Sequence, residues 1–406
     1  MKIVRSLIDV LYKVPVINKV TPLLDAVDAG MFGTHETTKG GPHILDNIDI
    51  KRYMILVIFA LLPAVGAAVL FYGLRVIAII MVSYIAGAAV EVVFAMVRKH
   101  DIHEGFLITG LIFPLVLPPT TPLWVVAVGV IFGTMFGKEM FGGTGRNIFN
   151  PALVGRLFIT FAFPSIMTMN WQAPFSDEIT SATPLATYKS TASTSKVDPD
   201  VVESGVKQVL FTSAHTFKKA TLNPKSEFEG VKVYCMGDST YNKAREHKRL
   251  AQSTVSPLFS YGNLVFGKQA GSMGETCRIL VLLGGIFLII TKVSDWRTPV
   301  SYLAAVFVLA AAGHHFLPEK VAPAIFQVLA GGLMFGAFFM ATDPVTSPFT
   351  SEGKYAAGIT CGVLTVLIRG FTGYVEGVMF SIVIVNALTP LIDHIVLMFK
   401  YRPVKA

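Results

Sequence analysis

The sequence predicts an all-α polytopic membrane protein of about ten transmembrane helices, in two inverted five-helix repeats with broken helices and an external polar insertion. Three observations carry that expectation. Hydrophobic residues make up 53% of the 406-residue chain and charged residues 15%, against roughly 25% charged in a soluble globular chain. Apolar runs of about 20 residues recur along the sequence. One long polar stretch, residues 166–276, separates five such runs from five more.

The elements follow in order. Residues 1–52 mix polar and apolar positions and carry Lys2, Arg5, Lys13, Lys19 and Lys39. They lack the apolar core and small-residue cleavage site of a signal peptide and read as a cytoplasmic segment. Runs at 53–74, 77–97, 105–118, 122–137 and 148–165 make a first repeat over 53–165. Runs at 277–294, 298–317, 322–341, 355–370 and 374–399 make a second over 277–399, and 400–406 form a tail. Glycine and proline interrupt Gly110–Pro119 and Gly331–Pro344. Broken backbone at membrane depth is tolerated only inside protein or along a cavity, so these breaks point to a functional centre. Two polar, proline-bearing interruptions, Asn147–Pro151 and Thr342–Pro348, echo one another across the halves.

Charge sets the orientation. Arg98-Lys99-His100, Lys138 with Arg146, and Lys400, Arg402 and Lys405 place the short basic loops and both termini in the cytoplasm, and the 166–276 insertion outside. The net charge of +8 belongs to those loops. It forms no aromatic-interleaved patch, which argues against nucleic-acid binding. Cys235, Cys277 and Cys361 lie far apart without CxxC spacing, so the chain alone announces no metal cluster.

Little in the chain resembles a self-contained soluble active site. Gly142-Gly143-Thr144-Gly145-Arg146-Asn147 is glycine-rich but lacks the GK[ST] ending of a phosphate loop, and reads as a close-packing or re-entrant turn. No dinucleotide fingerprint, serine elbow or His-Glu-x-x-His occurs. Ionisable residues inside apolar runs are functional candidates by default: Glu91, Asp343, Asp393 beside His394, and Glu376 near an external end. Each has two readings, a structural ion pair with a partner such as Arg156 or Arg369, or a station on a path for sodium or protons. The run Asp177-Glu178-Ile179-Thr180-Ser181-Ala182-Thr183-Pro184-Leu185 opens the polar insertion, and its composition alone describes a solvated loop.

Longer blocks carry a resemblance. Gly137-Lys138-Glu139-Met140-Phe141 through Asn150-Pro151-Ala152-Leu153-Val154-Gly155-Arg156, together with Met96–His100, Phe339–Pro344 and Pro390–His394, is similar to the B-type membrane subunits of the sodium-translocating NADH:quinone oxidoreductases. The related Rnf-type membrane subunit shares the Asp-Pro-Val-Thr-Ser-Pro element, whereas the long N-terminal segment with Asp49-Ile50-Lys51-Arg52 favours the quinone reductase. The resemblance implies FMN attached through its phosphate to the last Thr of Asp-x-x-Ser-Gly-Ala-Thr. Here those positions are Asp177, Thr180, Ser181, Ala182 and Thr183, with Thr183 the acceptor and Ser181 standing where the family has glycine. It also implies a second, non-covalent flavin, riboflavin; a quinone acceptor near Gly87 and Ala88, where the family has two glycines; and sodium-linked carboxylates at Glu91, Asp343 and Asp393, with a weaker match at Asp25. The implied partners are the other subunits of a six-subunit redox pump, a flavin-attaching transferase working outside the membrane, quinone, sodium and lipid. The implied location is the bacterial inner membrane, with a periplasmic flavin loop and NADH bound on another subunit. Residues 189–255 match least and read as an external elaboration covering a partner subunit. Two alternatives remain: an Rnf-type ferredoxin-linked subunit, and a passive solute channel or transporter without a redox group.

Overall fold

The computed structural model describes residues 50–99, 105–169, 171–172, 174–175, 183–186, 188–189, 261–318 and 320–401. The readings for the N-terminal segment, Asp25 included, for Asp177, Thr180, Ser181 and Ala182, and for residues beyond Lys189 in the insertion lie outside them. The described residues are helical, with no β-strand. In the first half, α1 is Ile50–Tyr72, α2 Arg75–Arg98, α3 Gly105–Leu115, α4 Leu123–Gly137, α5 Pro151–Ala162 and α6 Pro164–Met169. In the second, α7 is Tyr261–Phe266, α8 Arg278–Ile290, α9 Arg297–Phe316, α10 Ala324–Leu329 and α11 Leu333–Phe335, which runs into a π-helix at Gly336–Met340. Helices α12, Ser351–Phe371, and α13, Val378–Lys400, close the chain.

Among the described residues, six helical spans are long and apolar enough to cross a bilayer: α1, α2, α4 together with the short 3-10 helix that carries it on to Phe141, α9, α12 and α13. Large apolar side chains such as Leu70, Val97, Val308 and Phe399 point outward from them. An integral membrane protein shows this arrangement because lipid, not water, covers those faces. Helices α3, α5 and α8 are apolar but have only 11, 12 and 13 residues. At about 1.5 Å per residue they fall short of a hydrocarbon layer roughly 30 Å thick.

The breaks have local causes. The segment expected as one helix over 322–341 is three pieces, because Gly331 turns left-handed at φ +70°. A Cβ there would overlap Glu376 Oε1, so only glycine fits. The run expected over 105–118 stops being α-helical at Leu115, ahead of Pro118 and Pro119, which lack the N–H a helix needs. The run over 148–165 divides at Phe163, where Pro164 starts α6.

Helix α1 packs on α8, α2 on both α3 and α4, and α4 on α5. In the second half α9 packs on α10 and α12, and α12 on α13. At the α4–α5 seam, Gly129, Gly133 and Gly137 share one face at four-residue spacing; Gly133 and Gly137 meet Pro151, and Gly133 also meets Gly155. A Cβ on Gly133 would lie 2.5 Å from the Pro151 carbonyl oxygen. Small residues at this spacing let backbones approach where no hydrophobic drive separates helix from lipid. Contacts fix the two ends of the packet. At one end Tyr53 of α1 donates to the Val293 carbonyl after α8. At the other, Arg75 of α2 donates to the Thr120 carbonyl at 3.1 Å, and Tyr72 to the Gly271 carbonyl at 3.4 Å.

Gly133→Leu should therefore lower stability in detergent by about 2 kcal/mol or more, as overpacking against backbone does. Gly66→Ala in α1, whose Cβ would meet nothing within 4 Å, should leave the melting temperature unchanged or raised. Equal melting curves for the Gly133 variant and the parent would contradict the seam.

Candidate functional site

Two cavities lie at breaks in the helices. The larger, about 130 Å³, is bordered by Thr183. Thr183 stands directly before a helical stretch whose described residues are 184–186 and 188–189, and its Oγ1 accepts the Ala186 backbone N–H at 3.3 Å. A threonine followed by proline is a natural helix start, since the side-chain oxygen caps an orphan N–H and proline has none to cap.

The turn is held by its neighbours. Leu185 is buried with Leu264, Ala322, Phe326 and Ala330. Tyr188 donates to the Pro318 carbonyl at 2.7 Å, and its ring lies 5.8 Å from that of Phe326. The Lys189 ammonium donates to the carbonyls of Arg369, Thr372 and Tyr374 at the end of α12, where a cation suits the helix dipole. Burial holds this ammonium below the usual lysine range. By sequence the stretch from 189 onward reads as an external elaboration. Its first residue instead ties the Thr183 turn to the second half of the chain.

Across the cleft stand Arg156 of α5, Glu275, Tyr374 and Glu376, with Trp171 and Phe380 as aromatic walls. Glu376 pairs with Arg369, Oε1 to Nη2 at 3.1 Å. Arg369 also donates to the Gln327 and Ala330 carbonyls at 2.7 and 3.1 Å. Of the two arginines named from the sequence as ion-pair partners, Arg369 fills that role. Arg156 does not: it is 5% exposed, and its Nε and Nη1 have no hydrogen-bond partner.

The second cavity, about 70 Å³, lies at the opposite end, among Tyr53, Lys138, Thr144, Asn147, Asn150, Ser294, Phe338, Phe339 and Asp343. Here the two proline-bearing interruptions meet. Asn150 Nδ2 donates to Asp343 Oδ2 at 3.2 Å, while Asn150 Oδ1 caps α5 through the Ala152 N–H at 3.0 Å. Asp343 Oδ1 accepts the Val345 N–H at 3.1 Å. The hydroxyls of Thr144 and Ser294 are buried here without a partner. The glycine-rich loop is the expected turn, with Gly142, Gly143 and Gly145 at φ between 90° and 109°.

The remaining residues named from the sequence have other surroundings. Glu91 is buried in an ion pair with Lys138. Asp393 is 4% exposed and accepts three bonds at the start of α12, from the Phe349 and Thr350 N–H groups at 3.1 and 3.2 Å and from the Thr350 hydroxyl. Gly87 is buried on α2, where a Cβ would lie 3.5 Å from Val130 of α4, and Ala88 is half-buried. Neither lines the two cavities.

Known proteins match this chain along almost its whole length. Residues 37–402 match the NQR2, RnfD, RnfE family. The chain belongs to that family. Its relatives include B-type subunits of the Na(+)-translocating NADH-quinone reductase. That of Chlamydia abortus is 33% identical, covering 94% of this chain and 95% of the relative. That of Azotobacter vinelandii is 32% identical, covering 92% and 91%. That of Klebsiella pneumoniae is 30% identical, covering 94% and 92%.

The geometry makes Asp393 a helix-capping group. Asp393→Asn keeps the size but weakens the acceptor, and should cost about 1–3 kcal/mol in thermal unfolding. Unchanged stability would contradict the capping role.

Proposed function

We propose that this chain is the flavin-carrying membrane subunit of a bacterial sodium-translocating NADH:quinone oxidoreductase, with FMN esterified through its phosphate to Thr183. The observation that carries the proposal is the placement of Thr183 on a docked turn, beside a cleft holding a buried guanidinium with unspent donors. A solvated loop would need neither the Leu185, Tyr188 and Lys189 anchors nor a cation at membrane depth. The family membership and the names of the relatives agree with this assignment.

Bound there, FMN supplies one- and two-electron transfer with its ring unsubstituted, because the bond to protein is made at the phosphate. The chain's own residues do the rest. Thr183 provides the hydroxyl, and Trp171, Tyr374 and Phe380 offer apolar faces to a planar ring. Asp177, Thr180, Ser181 and Ala182 form the remainder of the recognition run for the attaching transferase. The second flavin, riboflavin, is assigned beside the second cavity, which offers it a polar edge rather than a whole pocket. The cavity's amides at Asn147 and Asn150, its unpartnered hydroxyls at Thr144 and Ser294 and its aromatic walls match a ring edge rich in donors and acceptors. Quinone is assigned to the stretch of α2 around Gly87 and Ala88.

Coupled sodium export would use the buried carboxylates. Of Glu91, Asp343 and Asp393, Asp343 is the best placed, since it borders a cavity while Glu91 is paired and Asp393 caps a helix. NADH would bind another subunit, and the flavin loop would face the periplasm with both termini in the cytoplasm.

The ten-crossing inverted repeat belongs to the same proposal. The packing of α2, α3 and α4 has a counterpart in that of α9, α10 and α12. By this order the first-half match to Pro344-Val345-Thr346-Ser347-Pro348 is Pro118-Pro119-Thr120-Thr121-Pro122. The Asn147–Pro151 interruption, its counterpart by sequence, lies before α5 instead.

In a denaturing gel the wild-type band should fluoresce as flavin does, and the Thr183→Ala band should be dark while remaining in the membrane fraction. A fluorescent Thr183→Ala band would remove the assignment. A colourless wild-type protein would favour a channel or transporter.

A further inference from the structure

The cleft has a charge imbalance. Arg156 is set midway along the apolar helix α5. None of the ion pairs of the described residues includes it. The carboxylates that it senses are Glu275 and Glu376. Both have other partners. Glu376 is held by Arg369. Glu275 accepts the Ser272 N–H at 2.6 Å and lies in the field of Arg278 as well as Arg156. Arg278 itself is buried and donates to the Leu264 carbonyl. Among the described residues, three guanidinium groups therefore share two carboxylates. Protonating either carboxylate would only widen the excess. An uncompensated cation is among the costliest groups to keep out of water. Its retention in a cleft beside a hydroxyl marks the place of an anion.

We propose that Arg156 is the seat of the phosphoryl oxygens of the nucleotide carried at Thr183. This inference rests on the flavin reading above. A phosphodiester carries one negative charge, and its two free oxygens suit the parallel N–H groups of a guanidinium. With its phosphate held at both the ester and Arg156, the nucleotide tail is fixed and the ring is left to the aromatic walls. Glu275 and Glu376 border the same cleft without pairing with the Arg156 guanidinium. Arg156 is thus a positioning residue rather than a redox participant.

The test uses the full chain purified from its membrane in its complex, first as Thr183→Ala, which lacks the covalent group. With its resident riboflavin left in place, so that the second cavity stays filled, it is titrated with free FMN and with added riboflavin, which has the same ring and no phosphate, and the affinity and melting temperature are read. FMN should bind about tenfold or more tightly than riboflavin, the range a charge-assisted phosphate contact supplies. Adding Arg156→Gln should abolish the preference, and Arg156→Lys should retain part of it. Equal affinities for FMN and riboflavin in the Thr183→Ala protein overturn the proposal, whatever the folding of the Arg156 variants. An unchanged preference in the Arg156→Gln double variant also overturns it. Failure of the underlying flavin reading shows separately, as a Thr183→Ala chain that still carries the mass of FMN.

Discussion

The architecture depends on how broken helices satisfy their backbone where lipid offers no partner. The bond between Asn150 and Asp343 answers that need at the second cavity. One amide ends the orphan state of the α5 start with its oxygen and holds the carboxylate at the other break with its nitrogen. The carboxylate in turn turns the chain at Val345. Two interruptions 193 residues apart are thereby joined.

Polar groups at depth fall into two kinds on this view. Some have spent their bonding capacity on the fold: Arg369 with Glu376 and the α10 carbonyls, Asp393 at the start of α12, Glu91 with Lys138. Others border a cavity with capacity left over: Arg156 at one end, Thr144 and Ser294 at the other. Leftover capacity in a low-dielectric interior is costly, so its location is informative about ligands. The two cavities lie at opposite ends of the helix packet.

Much of this was legible in the sequence. Apolar length pointed to ten runs, six of which are long enough to span among the described residues, and charge inside those runs singled out Glu91, Asp343, Asp393 and Glu376. The run ending at Thr183 is identified through its resemblance, since its composition describes only a loop. What periodicity could not give were interactions between distant residues. Asp393 reads as an exposed-path carboxylate until the start of α12, more than 40 residues away, is folded against it. The break at Gly331 was readable from its glycine, whereas the Glu376 carboxylate that closes over the turn comes from a distant segment that no local pattern encodes. Arg156 was visible as a charge in an apolar run, and only the cleft shows that its Nε and Nη1 have no protein partner. Tyr188 and Lys189 carried no signal, because their partners are carbonyl oxygens at distant helix ends.

The central claim is chemical: a hydroxyl beside a buried arginine holds a redox-active nucleotide. Fragmentation mass spectrometry of the peptide spanning 177–189 from the native protein addresses it most directly. The mass of FMN less one water should be found on Thr183 and on no other residue of the peptide. An unmodified peptide, or the added mass on Thr180 or Ser181, would contradict it.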